Sequence, residues 1–322
     1  MQKADVLIIG GGPCGLSAAI EIKKIGLKPI VIEKGNIVNA IYQYPTHQTF
    51  FSSSERLSIG GIPFITEERK PKRNQALVYY REVVKRTGIE IRSFETVLKV
   101  ENKGHFEVTT TKETYQAKYV VAATGYYDQP NKLAAEGAGL PKVMHYFKEG
   151  HPYFDQDILV IGGKNSAIDA ALELHKAGSR VTVSYHGTSY SQSIKPWILP
   201  EFDGLVRKGE ITMLFDSTVD RITAETVELT VNDVKESIPN DFVFAMIGYH
   251  PDHRFLTEMG ITIDPVSGRP EHNEETMETT VEGLFIAGVI AAGNNANEIF
   301  IENGRFHGER IAQALAEKES VH

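Results

Sequence analysis

Along these 322 residues the apolar positions pass from a continuous run to a helical spacing and back, and they do so twice in the same order. Val6 to Ile9 form a short unbroken apolar run closed by Gly10, the pattern of a parallel strand covered on both faces. Leu16, Ala18, Ala19, Ile20, Ile22 and Ile25 then line one face of a helix that Gly26 ends. The β-rich run KPIVIEK, residues 28–34, restores a strand. Pro29 within it has no amide hydrogen, which confines it to the strand's start. Residues 157–185, DILVIGGKNSAIDAALELHKAGSRVTVSY, repeat the series of strand, glycine turn, amphipathic helix and strand. Two such units about 150 residues apart predict an α/β chain with two Rossmann-like dinucleotide-binding domains. Residues 294–315, NNANEIFIENGRFHGERIAQAL, predict a loop followed by an amphipathic helix that packs against the first sheet.

Both turns between strand and helix carry candidate chemistry. Gly10, Gly12 and Gly15 have the spacing G-x-G-x-x-G. The first permits a tight turn, the second lets backbone approach a pyrophosphate, and the third lets helix and strand pack closely. Pro13 and Cys14 lie between them, where a helix N-terminus offers free amides to an anion. Glu33 ends the next strand about 20 residues on, placed to accept hydrogen bonds from ribose hydroxyls, with Lys34 beside it. The other reading of this stretch is a glycine-rich turn with no ligand. The second turn departs from the pattern: Gly162 and Gly163 are followed by Lys164 in place of the second glycine and Ala167 in place of the third. The Lys164 Cβ hinders close approach of a phosphate, while its ammonium can pair with one; Asn165 and Ser166 open the helix behind it. The strand that follows runs into Ser184, Tyr185 and His186 with no acid in the ribose position, and Lys195 lies shortly downstream. With no carboxylate to repel a 2′-phosphate, NADP is favoured over NAD. An empty, decayed site, and a solvated loop for His186 and Lys195, stay open as alternatives.

Composition narrows the class. A hydrophobic share of 41% with 24% charged residues is that of a soluble globular protein, and the net charge of −8 offers no broad basic surface for nucleic acid. Apolar windows such as residues 283–293 fall short of the roughly 18 to 20 residues that span a bilayer, so no membrane segment is expected. The one cysteine cannot form a disulfide within the chain, and no cationic stretch with an apolar core opens the sequence, which predicts a cytoplasmic protein. The 11 histidines lack an accompanying cysteine or carboxylate set, so no metal site is expected.

The segments VLIIGGGPCG, VVAATGYYDQP, VIGGKNSAIDAA and GLFIAGVIAAG occur in the order found in flavoprotein reductases with two dinucleotide-binding domains. Over nearly its whole length the chain resembles the low-molecular-weight thioredoxin reductase branch of that group. The resemblance implies an FAD domain built from residues 1–125 and 250–322, with an NADPH domain, residues 126–249, inserted between them. It implies that Ala123, Thr124 and Gly125 form the crossing near the flavin dinucleotide and that Ala287, Gly288 and Val289 approach the flavin. Tyr42, Gln43, Thr49 and Val97 fall in regions that line the cofactor in relatives; for the first three an ordinary packed loop is the other reading. Homo-oligomers are the usual state of the group. Two departures matter. Val289 stands where the group usually has an aspartate, and His145 and Lys148 stand where thioredoxin reductases have C-x-x-C, so this is not an ordinary thioredoxin reductase.

GGGPCG with Cys14, TFFSSSERLSIGG and GGKNSA are most similar to the bacillithiol disulfide reductases, single-cysteine flavoproteins proposed to recycle an oxidised low-molecular-weight thiol. That resemblance implies FAD and NADPH as cofactors, a small-molecule disulfide as the partner, and Cys14 as the reacting thiol. A helix N-terminus lowers a thiol pKa, to about 3.5–7.5 in known cases, whereas a flavin pyrophosphate at the same helix end opposes this. The alternative for Cys14 is a small packing residue that alanine would replace. Competing functions are a flavodoxin or ferredoxin reductase, a flavin monooxygenase, and a non-catalytic flavin redox sensor. The acidic chain gives little support to the first, and the second lacks its F-x-G-x-x-x-H segment.

Overall fold

The computed structural model describes residues 2–295 and 297–320. The chain divides into two compact units, Met1–Gln129 with Tyr249–His322, and Pro130–Gly248 between them. At the junctions the two crossing segments pair by backbone. His250 N donates to Gln129 O at 3.0 Å within the first unit, and Asn131 N donates to Gly248 O at 3.0 Å within the second.

The first unit opens with β1 (Gln2–Ile9), α1 (Pro13–Lys24) and β2 (Pro29–Glu33), the strand, helix and strand that the apolar spacing predicts. Pro29 is the first residue of β2. There follow α2 (Asn39–Gln43), α3 (Ser54–Leu57), α4 (Arg73–Thr87), β3 (Glu90–Ser93), β4 (Val97–Asn102), β5 (Phe106–Thr110) and β6 (Thr114–Ala122). The sheet order is β3-β2-β1-β6-β5-β4. β1 is parallel to both β2 and β6, which buries Val6, Leu7 and Ile8 completely and explains their unbroken apolar run.

The second unit holds β7 (Val143–Met144), β8 (Asp157–Ile161), α5 (Asn165–Lys176), β9 (Arg180–Ser184), α6 (Leu199–Arg207), β10 (Ile211–Leu214), β11 (Ser217–Ile222), β12 (Thr226–Val231), β13 (Val234–Pro239) and β14 (Phe242–Ala245). A parallel sheet, β10-β9-β8-β14-β7, carries the second glycine turn, and β11-β12-β13 form a separate antiparallel sheet.

The chain then returns to the first unit through α7 (His253–Glu258), β15 (Leu284–Ile286), α8 (Ile301–Gly304) and α9 (His307–Ser320). β15 lies parallel to the end of β6, from Leu284↔Val120 to Ile286↔Ala122, and this sets Ala287 and Gly288 beside the start of α1. The C-terminal helix differs from the sequence-based expectation in two ways. It breaks at Arg305 and Phe306 into α8 and α9, and its main contact is helix α1, the sheet being reached where Glu319 accepts from Lys118 and Tyr119 of β6. Ser17 Oγ donates to Arg305 O at 2.7 Å, and Gly308 comes so close that a Cβ on it would lie 2.8 Å from Ala18 N and Cα. Ile311 and Leu315 thereby join the core that holds Leu16 and Ile20. Among the described residues no helix is long and apolar enough to cross a membrane.

Candidate functional site

The three glycines of the first turn do three different things. Gly10 has φ +113, and a Cβ there would sit 2.3 Å from Ala123 O, so only glycine lets β1 turn this tightly under the crossing that ends β6. A Cβ on Gly15 would lie 2.0 Å from Gly10 O, so α1 packs directly on the turn. Gly12, the N-cap of α1, faces nothing within 4 Å. Of the three glycines it alone is open, and it leads to the free amides at the helix start. Beside Gly10 the Thr124 hydroxyl is buried with no hydrogen-bond partner, and Gly125 after it faces open space. A dinucleotide phosphate fits this cradle, because it would supply the acceptor that Thr124 lacks and fill the space in front of Gly12.

Glu33 is 7% exposed and already engaged. Its Oε2 accepts from Gly11 N at 2.7 Å and its Oε1 from Gly35 N at 2.8 Å. Burial pushes this carboxyl above its ordinary range, and the Gly35 and Gly11 amides pull it back. Each oxygen keeps a further lone pair, so the carboxylate can both stitch the turn and receive a ribose hydroxyl. Lys34 pairs with Asp128 at 2.9 Å. Val97 opens β4 just after Phe94 and Glu95, whose amides bond Gly35 O and Glu33 O at 2.7 and 3.0 Å, so it follows the segment that runs beside Glu33.

Val38 N donates to Gly11 O at 2.8 Å and so fastens α2, with Tyr42 and Gln43, beside the turn. The Tyr42 carbonyl accepts from Arg73 Nη2 at 2.6 Å, its ring is exposed, and Thr49 lies exposed further along. The sequence reading missed the rings around them. Tyr44 meets Tyr127 edge-on at 5.2 Å, and Tyr127 lies 4.6 Å from Tyr249, which is 6.1 Å from Tyr126. The signal was there: a Gly-Tyr pair follows each crossing, at Gly125-Tyr126 and Gly248-Tyr249.

Cys14 is the second residue of α1, half-buried, with its side chain packed against the core of the first unit. A Cβ on Gly288 or on Gly304 would lie 3.1 Å from Sγ, and the phenols of Tyr44 and Tyr80 are near enough to feel its charge. Burial pushes the thiol up to about 12. Burial thus opposes the lowering that a helix N-terminus gives, in the same direction as a flavin pyrophosphate at that helix end.

In the second unit Gly162 N donates to Ser184 O at 2.9 Å, as Gly10 N donates to Ile32 O at 2.9 Å in the first. This register makes Tyr185, not Ser184, the counterpart of Glu33. Gly163 faces the Tyr185 ring so closely that a Cβ would lie 2.3 Å from it, as Gly11 faces Glu33. Ser184 itself is 1% exposed and shares a 2.6 Å hydrogen bond with Ser217, so its expected role as a cofactor ligand does not hold. His186 is exposed with its ring 4.7 Å from that of Tyr185. Lys164 caps α5 with an exposed side chain, and Ser166 is exposed on the first turn behind it. The Asn165 side chain works as a strut: Nδ2 donates to Ser193 O at 2.9 Å and Oδ1 accepts from Lys195 N at 2.9 Å, which ties Lys195 to the mouth of the turn.

The family model described as pyridine nucleotide-disulphide oxidoreductase matches residues 7–288. The chain is 63% identical over 325 residues to the bacilliredoxin reductase Bdr of Bacillus subtilis, which covers 99% of this chain and 100% of that one. The solved bacillithiol disulfide reductase Bdr of Bacillus cereus matches with 64% identity and a TM-score of 0.97, over 98% of this chain and 100% of that chain. A thioredoxin reductase from Lactococcus lactis, at 22% identity and a TM-score of 0.79 over 99% of each chain, shares the fold. This protein thus belongs to the pyridine nucleotide-disulphide oxidoreductases, a family of FAD- and NADPH-dependent enzymes, and stands within it beside the Bdr reductases.

Proposed function

We propose that the chain is a cytoplasmic, homo-oligomeric reductase of a low-molecular-weight disulfide, bacillithiol disulfide, with Cys14 as the exchanging thiol. The observation that carries this reading is the placement of the chain's one thiol on the second residue of the helix that Gly12 caps, between the dinucleotide cradle and Gly288. The match to the solved bacillithiol disulfide reductase of Bacillus cereus supports the substrate, and a lone unpaired cysteine suits a reducing compartment.

In this reading Gly10, Gly12, Gly15, Glu33, Thr124 and Gly125 hold FAD, with Lys34, Tyr42, Gln43, Thr49, Val97 and Gly288 around it. Gly162, Gly163, Lys164, Ser166, His186 and Lys195 hold NADPH, with Asn165 as their strut. FAD held there would supply the two-electron chemistry, accepting a hydride from NADPH and providing the electron pair that reduces the disulfide bond. Over one turnover NADPH and a proton are consumed and one disulfide becomes two thiols. Cys14 contributes exchange: its S–H bond gives way, the sulfur bonds to one substrate sulfur, the substrate S–S bond breaks, and the released thiolate takes the proton. Burial raises the Cys14 thiol, so the exchange starts from the thiol and its proton leaves as the sulfur attacks.

Anaerobic titration of the FAD-loaded enzyme with NADPH, followed by bacillithiol disulfide, tests the reading. The disulfide should reoxidise the flavin with release of two thiols, and flavodoxin should not. Cys14→Ala should still accept hydride, while disulfide turnover falls at least about 100-fold, with kcat and kcat/KM dropping together. Wild-type disulfide turnover in that variant overturns the role of Cys14. Failure of the disulfide to reoxidise the wild-type flavin overturns the substrate.

A further inference from the structure

Two glycines from the far end of the chain form a wall against the Cys14 sulfur. A Cβ on Gly288 would lie 3.1 Å from both Cys14 Cβ and Sγ; one on Gly304 would lie 3.1 Å from Sγ and 3.3 Å from Gly288 Cα. The wall is conformationally costly, because Gly288 has φ +83 and ψ −156, a region entered by little besides glycine. Its amide is held by one side chain: Gly288 N donates to Nδ1 of His307 at 3.1 Å, and both groups are buried. His307 is 7% exposed and begins α9, the helix that Gly308 locks onto Ala18. Ala18 lies one helical turn after Cys14. The connections therefore close a ring from Cys14 along α1 to α9, through His307 to Gly288, and back to the sulfur. Burial, with Arg310 and His272 nearby, pushes His307 down to about 4, so at neutral pH its Nδ1 lone pair is available to the amide.

We propose that His307 is the positioning residue of the Cys14 thiol: by accepting the Gly288 amide it holds the glycine wall against the sulfur and sets how readily an electrophile reaches it. The proposal deepens the reading of Cys14 as the exchanging thiol and rests on it for any effect on turnover. Its test does not. Cys14 is the only cysteine in the sequence, so alkylation by iodoacetamide, followed by mass spectrometry, reports on this sulfur alone.

In the FAD-loaded full chain, His307→Leu removes the acceptor and should raise the alkylation rate about tenfold, equivalent to about 1.4 kcal/mol, the scale of one buried hydrogen bond. His307→Asn, whose Oδ1 falls near the place of Nδ1, should stay within about twofold of wild type, a difference well below that scale. FAD content and thermal unfolding are matched first. A His307→Leu rate equal to or below wild type overturns the proposal, as does a His307→Asn variant that reacts as fast as His307→Leu. If His307→Leu does not fold, His307→Gln takes its place. Its oxygen reaches the position of Nε2, not Nδ1, so it should react faster than His307→Asn, and equal rates overturn the proposal. Alkylation needs neither NADPH nor disulfide, so the outcome is independent of whether the substrate has been identified correctly.

Discussion

Glu33 and Tyr185 hold matching places, each just past the point where a second strand bonds the first glycine of its turn, yet they present opposite chemistry. A carboxylate there receives hydroxyls and repels phosphate, whereas the Tyr185 ring gives a neutral surface against Gly163 with His186 beside it. Tyr185→Glu should therefore lower kcat/KM for NADPH at least about tenfold while NADH is spared, because a like charge near the 2′-phosphate costs about 1.4 kcal/mol or more. Steady-state kinetics with both coenzymes decides it, and an unchanged ratio counts against Tyr185. Asp169 on α5 makes a residue-scale prediction about stability. Burial and then the Glu173 charge push its carboxyl from 3.8 to about 6, against a smaller pull from Lys176. Between those two values the folded protein keeps a proton that the unfolded chain has lost, so stability falls as pH rises through that window and stays lower above it. Asp169→Asn should raise the unfolding temperature at pH 7.5, by about 1–2 kcal/mol of stability after allowing for partial exposure, and give no gain near pH 4. Calorimetry at the two pH values that shows equal shifts would contradict this.

At the scale of elements, the contact between α1 and α9 depends on an absent side chain. Gly308→Ala sets a Cβ 2.8 Å from backbone atoms of Ala18, which cannot yield as a flexible side chain would. Overpacking of this kind should destabilise the first unit by about 1–3 kcal/mol, read as a lower unfolding temperature and weaker retention of FAD. This contact also marks what the sequence could reveal. The order β1, α1, β2 and its echo in the second unit were legible because burial on both faces and helical spacing leave local patterns, and the roles of Gly10, Gly12 and Gly15 follow from that local geometry. The break between α8 and α9 was not legible, since it is shaped by partners such as Ser17, 288 positions before Arg305. Ser184 was mistaken for a ligand because one step along a strand reverses the face a side chain presents, and only the register of Gly162 against Ser184 decides which residue looks at the turn. The upward push that burial gives the Cys14 thiol was hidden for the same reason as the helix break: Gly288 and Gly304, which close on its sulfur, come from the far end of the chain and not from its own helix.

For the whole molecule, the useful fact is that the chain leaves the first unit at Gln129 and returns at Tyr249, with His250 N only 3.0 Å from Gln129 O. Joining residues 129 and 249 through a short glycine turn should therefore give a folded first unit that copurifies with FAD and no longer oxidises NADPH. Absorbance of the bound flavin and a coenzyme assay check the two halves separately. A folded first unit that takes up no FAD would refute the assignment of the cradle at Gly12. The paired crossings also bear on entropy. Were the intervening stretch a flexible loop of roughly 120 residues, closing it would cost the first unit about 3 kcal/mol more than closing a four-residue turn. Because the second unit folds with Asn131 and Gly248 hydrogen-bonded, it meets that closure cost within its own folding, and to the rest of the chain it is as short as a hairpin.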